Sequence, residues 1–210
     1  NIKFKNISFK YNEKSPYTHL NLNLDIGKNS LNVILGKSGS GKSTFLDLFS
    51  GLLKPDDGEI KVDDVKLTRN NIISWQNIIG YMGQDLVLFN DTIKKNIEFG
   101  LNKPISDKEF DDILEKFFED EEKVKFTESE FQVGERGSKI SFGQRQRVIL
   151  ARQFFSEKEV ILLDEPTSSL DYNNITKLKA AIKKIKGKKT ILITSHNEAF
   201  NDIADQLINL

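Results

Sequence analysis

The sequence predicts an α/β fold with a mainly parallel sheet, an antiparallel β region near the N-terminus and a helical region in the middle. Three observations support this prediction. Apolar residues alternate with polar ones in the first third, they recur at helical spacing in the middle, and apolar strands alternate with helices from Gln144 onward. With 210 residues, 38% of them hydrophobic and 30% charged, the chain can bury one sizeable core.

The first third is predicted to be β structure. The alternation over residues 2–11 changes phase part-way, which indicates an antiparallel strand with a bulge. Leucines and Ile26 alternate over residues 20–26, so one face of that strand is expected to be buried. Residues 31–35 are more continuously apolar than the preceding strands, as in a central strand covered on both faces. Turn residues at 55–58 and 63–64 flank further short strands.

Helices are predicted in the middle of the chain. Ser106 and Glu109 form a capping-box pattern, and apolar residues at helical spacing follow over residues 110–118. The acidic run at 119–122 is interpreted as a solvated helix end or loop, and we assign it no function.

The C-terminal part alternates strands and helices. Apolar strands at Val160–Leu163 and Thr190–Thr194 are separated by a helix, and a further helix and a final strand are expected after them. The lysine-rich segment 177–189 carries an apolar stripe, so we interpret it as a solvated helix face rather than a nucleic-acid site.

Composition narrows the class of protein. Lys plus Arg equals Asp plus Glu, 31 of each, so no overall positive charge attracts nucleic acid. No apolar stretch approaches the roughly 18 to 20 residues of a membrane-spanning helix. The absence of cysteine excludes disulfides and thiolate metal sites. Because the chain begins at Asn1 with neither Met nor a leader, we interpret it as a domain of a longer polypeptide.

A glycine-rich loop follows the strand at 31–35. Residues 36–44 match the pattern GxxxxGK[ST] and precede a segment, 44–50, that can begin a helix. In such a loop, backbone N–H groups surround phosphate oxygens, Lys42 reaches the β and γ phosphates, and Ser43 supplies a hydroxyl for Mg²⁺. As a loop residue, Lys42 is expected to be exposed. The predicted nucleotide contacts are Gly36, Ser38, Gly39, Ser40, Gly41, Lys42, Ser43 and Thr44.

Two carboxylates follow the strand at Val160–Leu163. Ligands of open α/β sheets bind at the carboxyl ends of the strands, where Asp164 and Glu165 lie. Asp164 can hold Mg²⁺ through its water shell, and Glu165 can polarise a water for in-line attack on the γ-phosphate. Helix capping by two acids is the alternative. Together with the glycine-rich loop, the pair predicts a nucleoside triphosphatase with a P-loop core.

The sequence Ile-Ser-Phe-Gly-Gln at 140–144, followed by Arg-Gln-Arg, resembles the signature motif of ABC ATPases. Its position some twenty residues before Asp164 fits the same family. Four further positions resemble family elements in the expected order: the adenine-stacking aromatic at Tyr11, the Q-loop glutamine at Gln84, the D-loop at 168–171 and the switch histidine at His196. Each of these residues alone would be an ordinary strand aromatic, loop amide or capping side chain.

The resemblance implies a site shared by two cassettes in a homodimer or heterodimer. Ser141 and Gly143 would contact the γ-phosphate of ATP held on the partner's P-loop, and Gln144 and Asp171 would be further nucleotide-binding residues. Gln84 and His196 would sense that phosphate, Mg²⁺ and the attacking water within their own subunit, with Gln84 also a metal ligand. Asp171 would lie at the seam. ATP would then join the two cassettes, and its cleavage would release them.

Two segments resemble exporter-type cassettes. Residues 132–137 look like the X-loop, and residues 84–96 resemble the Q-loop neighbourhood. The resemblance therefore implies contact with coupling helices of transmembrane domains at the cytoplasmic face of the cell membrane, and no nucleic-acid partner. It also implies a single cassette domain over 1–210, with a catalytic core at about 1–83 and 158–210 and a helical subdomain at about 84–157.

Phe142 departs from the family pattern, which usually has glycine at this position. The ring either crowds the facing nucleotide or packs on its own subunit, and we expect the second arrangement and a working ATPase.

Two other functions are alternatives to an exporter domain. One alternative is a non-transport ABC ATPase in DNA repair, chromosome organisation or translation. No heptad insertion, second cassette or net positive charge supports it. A binding-only regulatory cassette is a further alternative, which Phe142 alone supports.

Overall fold

The computed structural model describes residues 1–127, 131–168 and 170–210 and has the expected α/β architecture. Contacts between residues divide it into two compact units, which are treated separately below. The first contains Asn1–Gly80, Lys158–Glu165 and Lys186–Leu210, and the second contains Tyr81–Glu157 and Pro166–Ile185. The second unit thus includes a segment, Pro166–Ile185, that the sequence-based division assigns to the catalytic core.

The elements follow one another along the chain as strands, then helices, then alternating helices and strands. They are β1 (Ile2–Phe9), β2 (His19–Ile26), β3 (Leu31–Leu35), α1 (Lys42–Ser50), β4 (Asp57–Val62), β5 (Val65–Lys66), α2 (Ile72–Asn77), β6 (Ile79–Met82), α3 (Ile93–Glu98), α4 (Asp107–Phe117), α5 (Asp120–Thr127), α6 (Phe142–Phe155), β7 (Val160–Asp164), α7 (Tyr172–Ile185), β8 (Thr190–Ser195) and β9 (Gln206–Asn209). A short 3-10 helix, Glu135–Gly137, lies between α5 and α6.

An antiparallel sheet with the order β2-β1-β4-β5 forms part of the first unit. The predicted bulge in β1 is confirmed, because the register with β2 shifts between Phe4 and Ile7 and Asn6 has a positive φ of 51°. Phe4 packs on Phe45 and Phe49 of α1, with ring centroids 5.2 and 6.0 Å apart. This contact joins the antiparallel sheet to the helix that follows the P-loop.

The prediction that one face of β2 is buried was wrong in part. Leu20 is 64% exposed, and Leu22 and Leu24 are only half-buried. The strand lies at the edge of the sheet, where one flank has no neighbouring strand. Asn21, with φ of 53°, adds a residue to β2 relative to β1, so His19 is buried in place of Leu20.

The second sheet has the order β6-β7-β8-β3-β9. As predicted, β3 is a central strand, parallel to β8 on one side and to β9 on the other, and it is almost wholly buried. Strand β7 runs parallel to β8, with Asp164 opposite Thr194. The carboxyl ends of β3, β7 and β8 therefore meet at one edge of the sheet.

The helix predicted between β8 and β9 does not form in the structure, where residues 196–205 make turns. Side chains compete with the helical hydrogen bonds here. The Ser195 hydroxyl bonds to Asn197, and the Asn197 side chain accepts from the Ala199 N–H at 3.0 Å. Phe200 and Ile203 nevertheless bury their side chains under the turns.

Helices dominate the second unit. The predicted capping box of α4 is present, with Ser106 and Glu109 bonding to each other's backbone N–H groups. Helix α7 buries Leu178 and Ile182 and leaves Lys183 and Lys184 exposed, as predicted for a solvated face, whereas Lys177 and Lys179 are half-buried. Within the described ranges, no helix combines the length and the apolar character that a bilayer crossing needs.

Candidate nucleotide-binding site

The glycine-rich loop joins β3 to α1 at the carboxyl edge of the parallel sheet. Gly39 and Gly41 have φ values of 79° and 91°, which side chains disfavour. A Cβ on Gly41 would also lie 2.7 Å from the Thr18 methyl group, and one on Gly36 would collide with the Ser40 side chain. The loop can therefore expose its backbone N–H groups at the start of α1.

Lys42 is buried, which corrects the expectation of an exposed loop lysine. It is 5% exposed because it is the first residue of α1 and its side chain turns back beneath the loop. Its ammonium donates to the carbonyls of Gly36 and Lys37 at 2.9 and 3.0 Å and lies 3.2 Å from Oε1 of Glu165. Two carbonyls and a carboxylate thus replace water around the charge.

Asp164 and Glu165 lie where the sequence predicts, at the end of β7, and Thr194 of β8 contacts both. The Thr194 hydroxyl donates to Oδ1 of Asp164 at 2.6 Å and accepts from the Glu165 N–H at 2.8 Å. Glu165 has a positive φ of 48°. Sequence reasoning missed Thr194, although a polar residue at the end of a buried strand was a usable signal.

His196 follows β8 and lies beside Glu165. Its Nδ1 is 3.7 Å from Oε2 of Glu165, and its side chain is half exposed. The structure thus brings together Lys42, Asp164, Glu165 and His196, four of the residues that the sequence selected. A cation, two carboxylates and an imidazole meet beside the loop that exposes backbone N–H groups.

Tyr11 and His19 flank the loop on the side of the antiparallel sheet. Tyr11 is 61% exposed, and its hydroxyl shares a hydrogen bond of 2.8 Å with Thr44 Oγ1. His19 Nε2 lies 3.0 Å from the Gly41 carbonyl, so this nitrogen carries the proton. Burial lowers the pKa of His19, and the bond to Gly41 opposes that shift. No local pattern predicted His19, which reaches the loop through the shifted register of β2.

Sequence and structure comparisons agree on the family. A family model described as ABC transporter matches residues 20–168, which is more than half of the chain. The chain belongs to the ABC transporter family. It is 35% identical, over 99% of its length, to a putative export ATP-binding/permease protein of Rickettsia typhi, of which it covers 36%. It is 33% identical, over 93% of its length, to an ATP-dependent lipid A-core flippase of Wigglesworthia glossinidia brevipalpis, of which it covers 34%.

A solved structure described as a bacterial Atm1-family ABC exporter with ATP bound is similar over the whole chain. The TM-score is 0.89 at 28% identity, and 37% of that exporter chain is covered. The chain spans about a third of the length of these relatives. As the motifs predicted, it is a nucleotide-binding, ATPase domain of the ABC transporter family.

The signature residues of this ABC domain begin α6 in the second unit. Ser141 caps the helix, and Gln144 completes a capping box: the Ser141 hydroxyl accepts from the Gln144 N–H at 3.1 Å, and Oε1 of Gln144 accepts from the Ser141 N–H at 2.8 Å. Gly143 lies in the first turn. The Gln144 side chain is therefore engaged within its own unit.

Phe142 is the first residue of α6 and is 43% exposed. Its ring faces the Arg145 guanidinium, whose central carbon lies 5.5 Å from the ring centroid. We expected the Phe142 ring to pack on its own subunit. Its contact with Arg145 agrees with this expectation, but much of the ring faces solvent.

The acidic run was wrongly interpreted as wholly solvated. Glu122 of α5 is half-buried and forms an ion pair with Arg147 of α6. The same Oε1 accepts from Nε2 of Gln144 at 2.9 Å. One acidic side chain therefore links α5 to the signature helix.

Two further predicted residues, Gln84 and Asp171, also lie in the second unit. Gln84 follows β6 and is exposed. Asp171 accepts from the Asn174 N–H at 2.8 Å at the start of α7, and this bond holds the pKa of Asp171 below its usual range. Ser169 of the predicted D-loop lies outside the described residues. In the predicted X-loop, Val133 is fully buried and Arg136 has a φ of 50°.

Proposed function

We propose that this domain binds ATP with Mg²⁺ and that its hydrolysis drives export by the membrane part of a longer protein. The observation that carries the proposal is the cluster of Lys42, Asp164, Glu165 and His196 beside the P-loop. Backbone N–H groups, a buried cation and an adjacent carboxylate base are what phosphoryl transfer to water requires.

Within one subunit, the residues divide the work. Lys42 binds the β and γ phosphates, where phosphate oxygens take the place of the carbonyl oxygens that it now contacts. Glu165 takes the proton of the water that attacks the γ-phosphorus, and His196 holds the Glu165 carboxylate in place.

Among the described residues, no three His, Cys, Asp or Glu side chains group closely enough to hold a metal ion by themselves. Magnesium is instead expected to use few protein ligands together with phosphate oxygens and water. In the first unit, the hydroxyl of Ser43 and the carboxylate of Asp164 are suitable oxygen donors. The resemblance to ABC ATPases adds the amide oxygen of Gln84. When bound, Mg²⁺ supplies positive charge that stabilises the developing charge on the phosphates.

A second cassette completes the proposed site. Ser141 and Gly143 begin a helix of 14 residues, whose N-terminus favours an anion such as the γ-phosphate of the partner's ATP. We assign Gln144 a supporting part in this contact, because its side chain already bonds to Ser141 and Glu122. Asp171 caps α7, and we expect it to lie near the proposed seam.

The membrane partner is proposed to dock on the second unit. Val87, Phe89 and Phe99 are exposed there, and the rings of Phe89 and Phe99 lie 4.5 Å apart. Clustered exposed apolar side chains favour a protein interface. The relatives named as a putative export ATP-binding/permease protein and a lipid A-core flippase support a membrane domain as the partner. We propose that its coupling helices, at the cytoplasmic face, make this contact.

The substitution Glu165→Gln tests the proposal. It keeps the size of the side chain and its hydrogen bonding but removes the base, so ATP should bind, hydrolysis should stop, and two cassettes should stay joined. ATPase assays and size-exclusion chromatography with MgATP measure these effects. Glu159→Gln, at the exposed residue that precedes β7, is the matched control and should behave as the parent. A Glu165→Gln protein that remains monomeric and still hydrolyses ATP would contradict the proposal.

A further inference from the structure

The buried hydroxyl of Thr194 belongs to none of the sequence motifs. We propose that Thr194 is a positioning residue for ATP hydrolysis, because it holds the Asp164 carboxylate and the backbone of Glu165 at the same time. The inference rests on the proposed function, in which Glu165 is the base. Thr194 thus adds a residue of β8 to the proposed ATP-hydrolysis site, which otherwise uses the P-loop, the end of β7 and His196.

The geometry determines which way the hydroxyl proton points. The N–H of Glu165 can only donate, so the Thr194 oxygen accepts at 2.8 Å and the hydroxyl proton goes to Oδ1 of Asp164 at 2.6 Å. Thr194 is fully buried, and Asp164 is nearly so. Water therefore does not replace either bond, and Asp164 is kept as a hydrogen-bond acceptor.

The Glu165 backbone needs such a restraint. Its φ of 48° is in the left-handed region, which a residue with a long side chain disfavours. The bond from its N–H to Thr194 fixes the peptide group at this point. The Glu165 side chain can then reach Lys42 at 3.2 Å and His196 at 3.7 Å. Without the restraint, we expect the carboxylate to leave this position.

Packing alone does not require a hydroxyl at position 194. Valine has nearly the same shape, suits a buried β-strand and has no polar group to bury. A purely structural hydroxyl would affect stability, whereas a positioning hydroxyl would affect the rate of the chemical step. The two roles are therefore separable by kinetics.

The experiment compares three variants of the intact protein. Thr194→Val removes both bonds and Thr194→Ser keeps the hydroxyl. Thr190→Val is the matched control, because Thr190 is also buried in β8 and its hydroxyl accepts from the Asn29 N–H at 2.9 Å, far from the carboxylates along the strand. We expect Thr194→Val to lower kcat by about tenfold or more with little change in KM for ATP, as the loss of other supporting contacts does. Thr194→Ser should restore kcat, and Thr190→Val should keep it.

A second measurement does not depend on activity. Hydrogen exchange of the peptide containing residues 160–168 should be faster in Thr194→Val, because the Glu165 N–H loses its acceptor, and unchanged in Thr190→Val. If Thr194→Val does not fold, Thr194→Cys, a weak hydrogen-bonding group of similar size, replaces it with the same expectations.

The outcomes separate the inference from the proposed function. A parent protein without ATPase activity contradicts both. A parent that hydrolyses ATP, together with a Thr194→Val variant of unchanged kcat, overturns the inference alone. Equal losses of kcat in Thr194→Val and Thr190→Val, or parental exchange at residues 160–168, also overturn it.

Discussion

Lys42 combines ligand binding with a structural contact. It is buried against the carbonyls of Gly36 and Lys37 and against Glu165. We predict that Lys42→Ala abolishes ATP hydrolysis and severely weakens ATP binding. It should also lower the free energy of unfolding by about 1–3 kcal/mol, because buried acceptors lose their donor. Nucleotide-binding, ATPase and thermal unfolding assays measure the three effects.

Lys37→Ala is the control, because Lys37 is an exposed lysine in the same loop, and it should change the three quantities little. ATPase activity at the level of the parent in Lys42→Ala would refute the proposed site.

Phe142 is exposed at the start of α6, where it contacts Arg145. We predict that Phe142→Gly leaves ATPase activity near that of the parent. The free energy of unfolding should fall by about 1 kcal/mol, mainly through the added backbone freedom of glycine in a helix. Phe142→Ala separates the two causes, because it removes the ring but keeps the helix preference. A clear rise in ATPase activity in both variants would show instead that the ring limits turnover.

At the scale of the elements, Glu122 joins two helices of the second unit. Its carboxylate pairs with Arg147 and accepts from Gln144, which caps the signature helix. We predict that Glu122→Gln lowers the free energy of unfolding by about 1–3 kcal/mol, because the buried guanidinium of Arg147 loses its counter-charge. Thermal unfolding measures the change. Glu121→Gln is the control, because Glu121 belongs to the same acidic run but is exposed, and it should change the free energy of unfolding by less than about 0.5 kcal/mol. Equal effects of the two substitutions would contradict the proposed stabilising link between α5 and α6 through Glu122.

At the scale of the whole molecule, His19 predicts how stability depends on pH. Its pKa is lowered from 6.5 in the folded state, chiefly by burial. Below pH 6.5 the unfolded chain therefore binds more protons than the folded one, and stability falls as pH decreases towards the lowered pKa. Above pH 6.5 this residue contributes no pH dependence. Melting temperatures measured from pH 8 to 5 should show the decline.

The matched variant for this prediction is His19→Gln. Its side-chain amide can still donate to the Gly41 carbonyl but does not titrate. The decline just below pH 6.5 should become shallower in this variant. An unchanged pH profile would show that other groups cause the decline.

The sequence alone determined the features that depend on neighbours along the chain. The glycine pattern predicted a loop that the left-handed backbone of Gly39 and Gly41 now forms, and Ser106 with Glu109 predicted the cap of α4. The alternation of apolar runs predicted the α/β class, because burial on a strand or helix follows its period. The division into a core and a helical subdomain stays a prediction.

Only the tertiary structure decided which distant residues meet. Thr194 contacts Asp164 because β8 lies beside β7 in one register, and Glu122 meets Arg147 because α5 packs near α6. Turns replace the helix expected between β8 and β9, because buried side chains and local hydrogen bonds outweigh helix preference there. The buried Lys42 ammonium has a counter-charge because Glu165, which follows β7, lies beside it. Such contacts depend on strand order and register, which no local pattern encodes.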